Sequence, residues 1–387
     1  MKKKIAILGS TGSIGKSLFK ILEKNKKNFY IELLTAKTDY KTLLKQASKF
    51  KVKNLIITNK QSYKILKEKT KNTNIKIYNN FESFNKIFRK KIDYVMSAII
   101  GIDGLYPTYN IIKYTKKIAI ANKESIICAW DLIFRKLKFC KTEFIPVDSE
   151  HFSIWYALKG NNRENLEKII LTASGGPFIN LPLVKFKNIK IKDAIKHPNW
   201  KMGKKISIDS STMMNKVFEI IEAKKIFNMR YDDLDILVHK KSYLHAIIKF
   251  KNGLSKLVIH DTNMSIPIFN TLYSDDDKEM KSRKIDINKL NNLNLIKVDK
   301  KKFPVVNILK KMPQKNSFIE TILVSANDVL VELFLDKKIS FNSISSELIK
   351  ILDSKEFLSY KHSSPSNIEE ILTLKKYVQL KIRSNFI

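Results

Sequence analysis

The first turn of the chain constrains its fold most strongly. An apolar run over residues 5–8 ends at Gly9, and Gly12 and Gly15 follow at equal spacing before an amphipathic stretch over residues 16–23. This order predicts a strand, a glycine turn and a helix. Glycines at such a turn let backbone amides approach a pyrophosphate and let the helix pack on the strand. A plain tight turn would use the same glycines, so the motif alone leaves both interpretations open.

Apolar runs alternate with lysine-rich, helix-like segments over the first third of the chain. The runs lie at residues 31–34, 55–57, 94–100 and 118–120. This alternation predicts a parallel sheet with helices on both faces. We therefore expect an α/β fold that begins with a Rossmann-like dinucleotide-binding domain.

The pattern changes after about residue 145. Shorter strand-like runs at residues 144–147, 169–172, 236–238, 246–250 and 256–259 frame the densest polar motifs. They predict a central α+β catalytic domain.

Helical periodicity dominates the last part of the chain. It covers residues 317–334 and 343–352 and resumes at Ile368, whereas residues 274–303 are polar. A chain of 387 residues exceeds the usual size of one core, so several domains are expected. We draw the limits at 1–147 for the dinucleotide domain, 148–273 for the catalytic domain, 274–303 for a linker and 304–387 for a helical domain.

The charge balance favours anionic ligands. The 73 Lys and Arg against 37 Asp and Glu give a net charge of +36, yet no arginine-rich arm, zinc-finger spacing or aromatic RNA-binding signature occurs. We therefore expect phosphorylated small molecules and no nucleic acid. The apolar run after the first lysines stops at Gly9, too short for a signal peptide, and no run reaches the length of a membrane span. With only two cysteines, these features predict a cytoplasmic protein without a membrane partner.

The segment from Lys205 to Glu219 combines several polar groups. A strand-like alternation leads through Ser210-Ser-Thr212 into a helical pattern, whose free N–H groups and hydroxyls suit an anion. Asn215 and Lys216 lie four and three residues before Glu219, so all three share one helix face. A capped helix with a surface ion pair is the alternative.

Two carboxylates follow the strand-like run at residues 144–147. Asp148 and Glu150 point the same way if the strand continues. Together with Glu219 they would offer three hard oxygen ligands suited to Mg²⁺ or Mn²⁺. An acidic strand end without a metal is the alternative.

Other polar loops are weaker signals. Ser174 precedes two glycines in a loop able to bring amides to phosphate, and the stretch His197-Pro-Asn-Trp-Lys-Met-Gly203 suits a mobile cover. Lys123 follows a strand, where open α/β sheets place ligand-binding residues. After the second strand, Lys37 and Thr38 suit a 2′-phosphate whereas Asp39 suits a free 2′-hydroxyl. The alternatives are an ordinary turn for the loop of Ser174, a structural role for His197 and a solvated surface position for Lys123.

Six ordered motifs together resemble the 1-deoxy-D-xylulose 5-phosphate reductoisomerase family. They are Gly9-Ser-Thr-Gly-Ser-Ile-Gly15, Ala121-Asn-Lys-Glu-Ser125, Pro146-Val-Asp-Ser-Glu-His151, Thr172-Ala-Ser-Gly-Gly-Pro-Phe178, His197-Pro-Asn-Trp-Lys-Met-Gly203 and Asp209-Ser-Ser-Thr-Met-Met-Asn-Lys216. The resemblance extends to Ala326–Phe334 in the helical tail, so it spans nearly the whole chain.

The resemblance implies an enzyme that uses NADPH and a divalent metal in the non-mevalonate isoprenoid pathway. It would rearrange 1-deoxy-D-xylulose 5-phosphate and reduce the aldehyde to 2-C-methyl-D-erythritol 4-phosphate. A homodimer is implied as well.

The resemblance also assigns roles to individual residues. The metal ligands would be Asp148, Glu150 and Glu219, which with Lys123 and His197 form the implied catalytic set. The phosphate would be held by Ser174, Ser210, Asn215 and Lys216, and the rest of the substrate by Ser149, Lys123, Glu150, Glu219, Ser242 and His245. The flap would contain His197, Trp200 and Met202. The cofactor would contact Gly9, Ser10, Thr11, Gly12, Ser13, Ile14, Ala36, Lys37, Thr38, Asn122, Glu124 and Gly203, with Glu124 also near the reacting end of the substrate.

The chain departs from the family pattern in three places. Lys37-Thr-Asp39 stands where the family usually has Gly-Lys-Asn or Asn-Lys-Asn, which leaves NADPH against NADH open. His239-Lys-Lys-Ser242 replaces a common His-Pro-Gln-Ser, and the residues after His151 also differ. A related dehydrogenase with another substrate and a nucleic-acid-binding protein with degenerate motifs are the competing hypotheses.

Overall fold

The computed structural model describes residues 2–200, 202–276 and 278–386. Within these limits the chain forms two compact units. The first contains residues 2–125, 133–148 and 264–281, and the second contains residues 126–132, 149–263 and 282–386.

Twelve strands are found in the described residues. They are β1 (Lys3–Leu8), β2 (Phe29–Ala36), β3 (Asn54–Ile57), β4 (Lys76–Tyr78), β5 (Ile92–Ser97), β6 (Thr115–Ile120), β7 (Glu143–Pro146), β8 (Leu166–Ala173), β9 (Leu234–Val238), β10 (Leu244–Phe250), β11 (Ser255–Ile259) and β12 (Ile296–Lys297).

Sixteen α-helices are found in the same residues. They are α1 (Ser13–Lys24), α2 (Tyr40–Phe50), α3 (Lys60–Lys69), α4 (Phe84–Ile87), α5 (Leu105–Ile111), α6 (Lys123–Cys140), α7 (Ser149–Ala157), α8 (Ile191–Ala194), α9 (Lys204–Ser211), α10 (Met214–Phe227), α11 (Ser265–Leu272), α12 (Ile287–Asn291), α13 (Ile319–Leu335), α14 (Phe341–Asp353), α15 (Lys355–Leu358) and α16 (Ile368–Ser384). None of these described helices combines the length and apolar character needed to cross a membrane.

The first unit is a doubly wound parallel sheet. Its strand order is β4-β3-β2-β1-β5-β6-β7, and every neighbouring pair is parallel. The order reverses between β1 and β5, which is where open α/β sheets bind ligands. Apolar side chains of β1, α1 and β2 share one buried core with α11. The predicted Rossmann-like fold is thereby confirmed.

The second unit is built on a mixed sheet of order β11-β10-β8-β9-β12. The helix α13 packs against α14 and α16 in the helical C-terminal part, as the sequence predicts. A buried ion pair joins this part to α10, because Lys225 Nζ lies 3.0 Å from Glu320 Oε1 and both side chains are almost fully buried.

The structure differs from the sequence-based expectation at three segments. The run at residues 144–147 forms β7, which extends the first sheet rather than opening the second. Residues 264–281 pack with the first unit although they lie outside the limits 1–147. The polar stretch 274–303 contains α12 and also β12, which pairs with β9. The domain limits drawn from the sequence stay predictions.

Candidate active site

The glycine turn of the first unit brings bare backbone close to the sheet. Gly9 has φ +79°, and a Cβ there would lie 2.7 Å from the carbonyl oxygen of Ala98. A Cβ on Gly15 would lie 2.5 Å from the carbonyl oxygen of Gly9, so α1 can pack this close only with glycine. No side chain caps α1 and its first turn has no acid, so its N–H groups can receive an anion.

The predicted cofactor residues of this turn differ in their availability. Ser10 is fully buried, and its hydroxyl donates to the carbonyl oxygen of Thr35 at 3.2 Å. Ser13 is exposed at the start of α1, while Thr11, Gly12 and Ile14 are half-buried. The backbone of the turn and the Ser13 hydroxyl are therefore its accessible donors.

The loop after β2 bears on cofactor choice. Asp39 caps α2, because its Oδ1 accepts a hydrogen bond from the Thr42 N–H at 3.0 Å. Burial alone would raise the pKa of Asp39, but the Thr42 hydrogen bonds and nearby lysines hold it below its ordinary value. Lys37 is mostly exposed and makes a 3.7 Å surface pair with Asp103. The carboxylate of Asp39 is thus engaged as the cap of α2. The exposed pair of Lys37 with Asp103 is weak, so the Lys37 ammonium can bind another anion instead.

The residues after β6 take separate roles. Asn122 is buried, donates to the carbonyl oxygen of Gly101 at 2.8 Å and caps α6 by accepting from the Ser125 N–H at 2.7 Å. Lys123 Nζ lies 2.6 Å from Asp148 Oδ2, and both belong to the first unit. Glu124 is buried. Asn122 therefore stabilises the loop after β6, while Lys123 places a positive charge beside Asp148 at the carboxyl end of the sheet.

The predicted strand before Ser210 is wrong. Residues 204–211 form α9, and Met213 with φ +69° separates it from α10. The hydroxyls of Ser211 and Thr212 donate to carbonyl oxygens of α9, so they stabilise the bend rather than offering themselves to phosphate. Ser210 is half-buried and remains a candidate donor.

The prediction that Asp148 and Glu150 lie on one strand is also wrong. The strand β7 ends at Pro146, and α7 begins at Ser149. Asp148 belongs to the first unit, whereas Glu150 lies in the first turn of α7 in the second. Ser149 Oγ donates to Glu150 Oε2 at 2.7 Å.

A buried ammonium joins two carboxylates of the second unit. Lys216 Nζ donates to Glu150 Oε1 at 2.9 Å, to the carbonyl oxygen of Thr172 at 2.6 Å and to Glu219 Oε2. Asn215 Nδ2 donates to Glu219 Oε1. Lys216 and Glu219 are almost fully buried, so the alternative of a surface ion pair is wrong. Predicted phosphate ligands and metal ligands thus share one cluster.

The charges of this cluster stabilise one another. Burial alone would raise the pKa of Glu150, but the Lys216 ammonium and the Ser149 hydroxyl hold it far below its ordinary value. Burial alone would lower the pKa of Lys216, but Glu150 and Glu219 outweigh it and raise that pKa. Glu150 and Lys216 are therefore both charged at neutral pH.

Hydrogen bonds define the tautomer of His197. Its Nδ1 accepts from the N–H groups of Asn199 at 3.1 Å and Trp200 at 2.9 Å, so the ring proton is on Nε2. That nitrogen lies 2.9 Å from Ser174 Oγ and donates to it, as does the Gly176 N–H at 3.1 Å. Ser174 is left with its own proton to donate to an anion. Burial lowers the pKa of His197 to about 4, so the ring is neutral near pH 7.

Gly176 brings this loop against α9. Its φ is +64°, and a Cβ there would lie 2.7 Å from the carbonyl oxygen of Ser210. The loop that contains Ser174 therefore packs on the end of the helix that contains Ser210. The two predicted phosphate ligands, Ser174 and Ser210, therefore lie on neighbouring backbone segments.

The predicted flap is attached to the turn before β10. Asn199 Nδ2 donates to Ser242 Oγ at 2.9 Å and to the carbonyl oxygen of Lys240 at 2.6 Å. Trp200 packs edge-on against His245, with ring centroids 6.3 Å apart. Met202 is half-buried, Gly203 precedes α9, and Lys201 lies outside the described residues. Asn199 has no role in the sequence-based prediction, and its only signal there is its place between Pro198 and Trp200 of the predicted flap.

Comparisons with known proteins agree along nearly the whole chain. Residues 5–130 match the family model for 1-deoxy-D-xylulose 5-phosphate reductoisomerase, residues 144–227 its C-terminal domain model, and residues 260–380 a further model for the DXP reductoisomerase C-terminal domain. The enzyme of that name from Pelagibacter ubique (strain HTCC1062) is 62% identical over 384 residues, which are 99% of each chain. The chain belongs to the 1-deoxy-D-xylulose 5-phosphate reductoisomerase family.

Solved structures of this reductoisomerase family agree with the fold. The Zymomonas mobilis enzyme in complex with NADPH is 30% identical, with a TM-score of 0.89 over 100% of this chain and 99% of its own. A DOX-P reductoisomerase in complex with NADPH, fosmidomycin and magnesium is 29% identical, with a TM-score of 0.91 over 99% and 98% of the two chains. The family and fold class expected from the six reductoisomerase motifs are confirmed.

Proposed function

We propose that this reductoisomerase converts 1-deoxy-D-xylulose 5-phosphate to 2-C-methyl-D-erythritol 4-phosphate with NADPH and a divalent metal. The observation that carries the activity is family membership over nearly the full length, at 62% identity to a reductoisomerase. NADPH and magnesium accompany solved relatives that share the fold. The residue roles below are part of the proposal.

The donor set suits a divalent cation. Glu150 and Glu219 already share the positive charge of Lys216, and their two charges exceed its single one. Asp148 stands two residues before Glu150 along the chain and supplies a third hard oxygen ligand. We assign Asp148, Glu150 and Glu219 to Mg²⁺ or Mn²⁺. When bound, such an ion withdraws charge from substrate oxygens and stabilises the anion that develops during rearrangement.

The phosphate of the substrate is assigned to the loop that contains Ser174 and to the adjoining end of α9, which contains Ser210. His197 Nε2 and the Gly176 N–H already donate hydrogen bonds to Ser174 Oγ. The hydroxyl proton of Ser174 is therefore left to donate to the phosphate. Ser210 adds a second hydroxyl, and Lys216 and Asn215 add positive charge and an amide from the first turn of α10. The neutral His197 ring orients Ser174 and, through Trp200, ties the flap to the phosphate end. Closing the flap excludes water from the aldehyde.

The cofactor is assigned to the glycine turn of the first unit. The uncapped N-terminus of α1 and the bare backbone at Gly9 and Gly15 fit a pyrophosphate. Lys37 and Thr38 receive the 2′-phosphate, and the use of Asp39 as a helix cap removes the main argument for NADH. NADPH supplies the hydride of the final reduction.

A coupled assay tests the function. We expect NADPH oxidation that requires both 1-deoxy-D-xylulose 5-phosphate and Mg²⁺ or Mn²⁺, stops with chelator and is much slower with NADH. Glu219→Gln should lose at least about a hundredfold in metal-supported activity, whereas the exposed control Glu332→Gln should keep it. Turnover that persists in chelator would refute metal dependence, and normal activity of Glu219→Gln at low metal would refute its ligand role.

We also propose a homodimer in the cytoplasm. The strand β11 lies at the edge of its sheet, and Leu257 on it and Leu254 just before it are about half or more exposed. An edge strand with apolar side chains can pair with the same strand of a second copy. Light scattering measures the molar mass directly, and a monomer would contradict the dimer. A chain with only two cysteines suits a reducing compartment.

A further inference from the structure

A β-bulge sets two histidines of the second unit side by side. In the antiparallel pair of β10 and β11, Leu244 pairs with Ile259 and the next pair is Ala246 with Val258, so His245 is the extra residue. Bulges redirect a side chain and are frequent beside active sites. Here His245 stacks on His260, with ring centroids 3.6 Å apart and planes 12° apart.

The hydrogen bonds of the pair determine where each proton lies. His245 Nε2 is 3.1 Å from the carbonyl oxygen of His260, and a carbonyl can only accept. The proton of His245 is therefore on Nε2, and Nδ1 carries a lone pair. His260 Nδ1 lies 2.8 Å from the carbonyl oxygen of Asp261, and its Nε2 lies 3.4 Å from Ser153 Oγ. Burial lowers the pKa of both rings, that of His245 to about 3, so both are neutral at pH 7.

The stack connects the predicted substrate site to the flap. Trp200 contacts His245 edge-on at 76° between ring planes. His245 is almost fully buried, whereas His260 is half-buried. His260 therefore backs a buried ring that the family resemblance assigns to the substrate, and it belongs to none of the six motifs from which the family was inferred.

We infer that His260 is a positioning residue for the substrate. Stacking by the His260 ring fixes the orientation of the His245 ring. The lone pair on His245 Nδ1 then points in one direction, toward a substrate hydroxyl, and Trp200 packs on a ring that does not move. Without the stack, the His245 ring can rotate about its last side-chain torsion and must be ordered again when substrate binds. This inference rests on the proposed function, since it assumes that His245 faces substrate.

Three variants separate ring stacking from general packing. His260→Leu removes the aromatic ring but keeps the backbone carbonyl that binds His245, His260→Phe keeps a ring, and His362→Leu changes an exposed histidine as a control. With saturating NADPH and Mg²⁺, we expect His260→Leu to raise KM for 1-deoxy-D-xylulose 5-phosphate about fivefold to tenfold, with kcat within about twofold. His260→Phe should restore KM to within about twofold of the parent, and His362→Leu should match the parent.

A second measurement does not depend on activity. The chain has only six histidines, so ¹⁵N NMR of histidine-labelled protein can resolve each ring. The parent and His260→Phe should show a single Nε2–H tautomer for His245, and His260→Leu should show broadened or averaged ring nitrogens. Unchanged His245 signals and an unchanged KM in a folded, active His260→Leu enzyme would overturn the inference. An inactive parent protein would instead refute the proposed function.

Discussion

At the scale of single residues, Lys216 controls the charge balance of the candidate site. It is the buried cation shared by Glu150 and Glu219, so Lys216→Met leaves the buried Glu219 and the half-buried Glu150 without it. Removing one partner of a buried ion pair costs about 3–5 kcal/mol. We expect a loss of that size in the free energy of urea unfolding in chelator, and partial recovery with Mg²⁺ because the ion replaces the lost charge.

The matched control is Lys249→Met, which breaks an exposed pair with Glu167. Its cost should stay within about 0.5 kcal/mol, because exposed pairs contribute little. Equal losses in the two variants, or no response of Lys216→Met to Mg²⁺, would contradict the assignment of the cluster as a cation site.

His197 gives the site a pH dependence of defined sign. Its pKa is lowered by burial to about 4 in the folded protein and is about 6.5 when unfolded, so the unfolded chain binds the proton first. Stability therefore falls as pH decreases from about 6.5 toward 4, with no contribution above that window. The free energy of unfolding of His197→Asn should fall less over this window than that of the parent, while His362→Asn should follow the parent. Parallel curves for all three proteins would contradict the neutral, half-buried state of His197.

At the scale of elements, short repeats of apolar residues proved the weakest basis for prediction. The long alternation correctly predicts the parallel sheet, because most of the apolar residues in these runs are buried in its strands. The alternation at residues 205–209 spans only five residues and forms part of α9, whose Asp209 is buried and bound by Asn327 Nδ2 at 2.8 Å. Such a tertiary partner, distant in sequence, leaves no signal in the segment itself, and the one local helix signal is the i,i+4 pair of Lys205 and Asp209, whose charged groups lie 2.9 Å apart.

For the site residues too, the local sequence predicts the type of ligand, whereas contacts between segments far apart in the sequence decide the geometry. The motifs gave the residue types for phosphate and metal, since hydroxyls, amides and carboxylates suit those ligands. They could not show that Lys216 lies between two carboxylates, because Glu150 comes from another helix 66 residues earlier. They also could not give the tautomer of His197, which depends on how the flap backbone folds over the ring.

The contact of the glycine loop with α9 yields a prediction at this scale. Gly176→Ala adds a methyl group where a Cβ would lie 2.7 Å from the carbonyl oxygen of Ser210, and it also strains a left-handed backbone. Gly160→Ala carries the same kind of strain at φ +71° with open space around it. We expect both to lose about 1–2 kcal/mol from strain, but only Gly176→Ala to raise KM for the substrate, by about tenfold or more. An unchanged KM in Gly176→Ala would show that the loop does not set the phosphate site.

At the scale of the whole molecule, the net charge of +36 should act on the rate of encounter rather than on recognition. Both the substrate and NADPH are anions, and salt screens their long-range attraction to the protein. We expect kcat/KM for the phosphorylated substrate to fall several-fold between about 20 and 300 mM salt at constant Mg²⁺, with kcat nearly constant. Replacing the exposed Lys64, Lys69 and Lys71 by Gln removes three charges from the first unit and should leave the salt dependence almost unchanged, because steering sums over the whole surface. A kcat/KM that does not respond to salt would mean that the buried groups around Lys216 alone account for recognition of the phosphate.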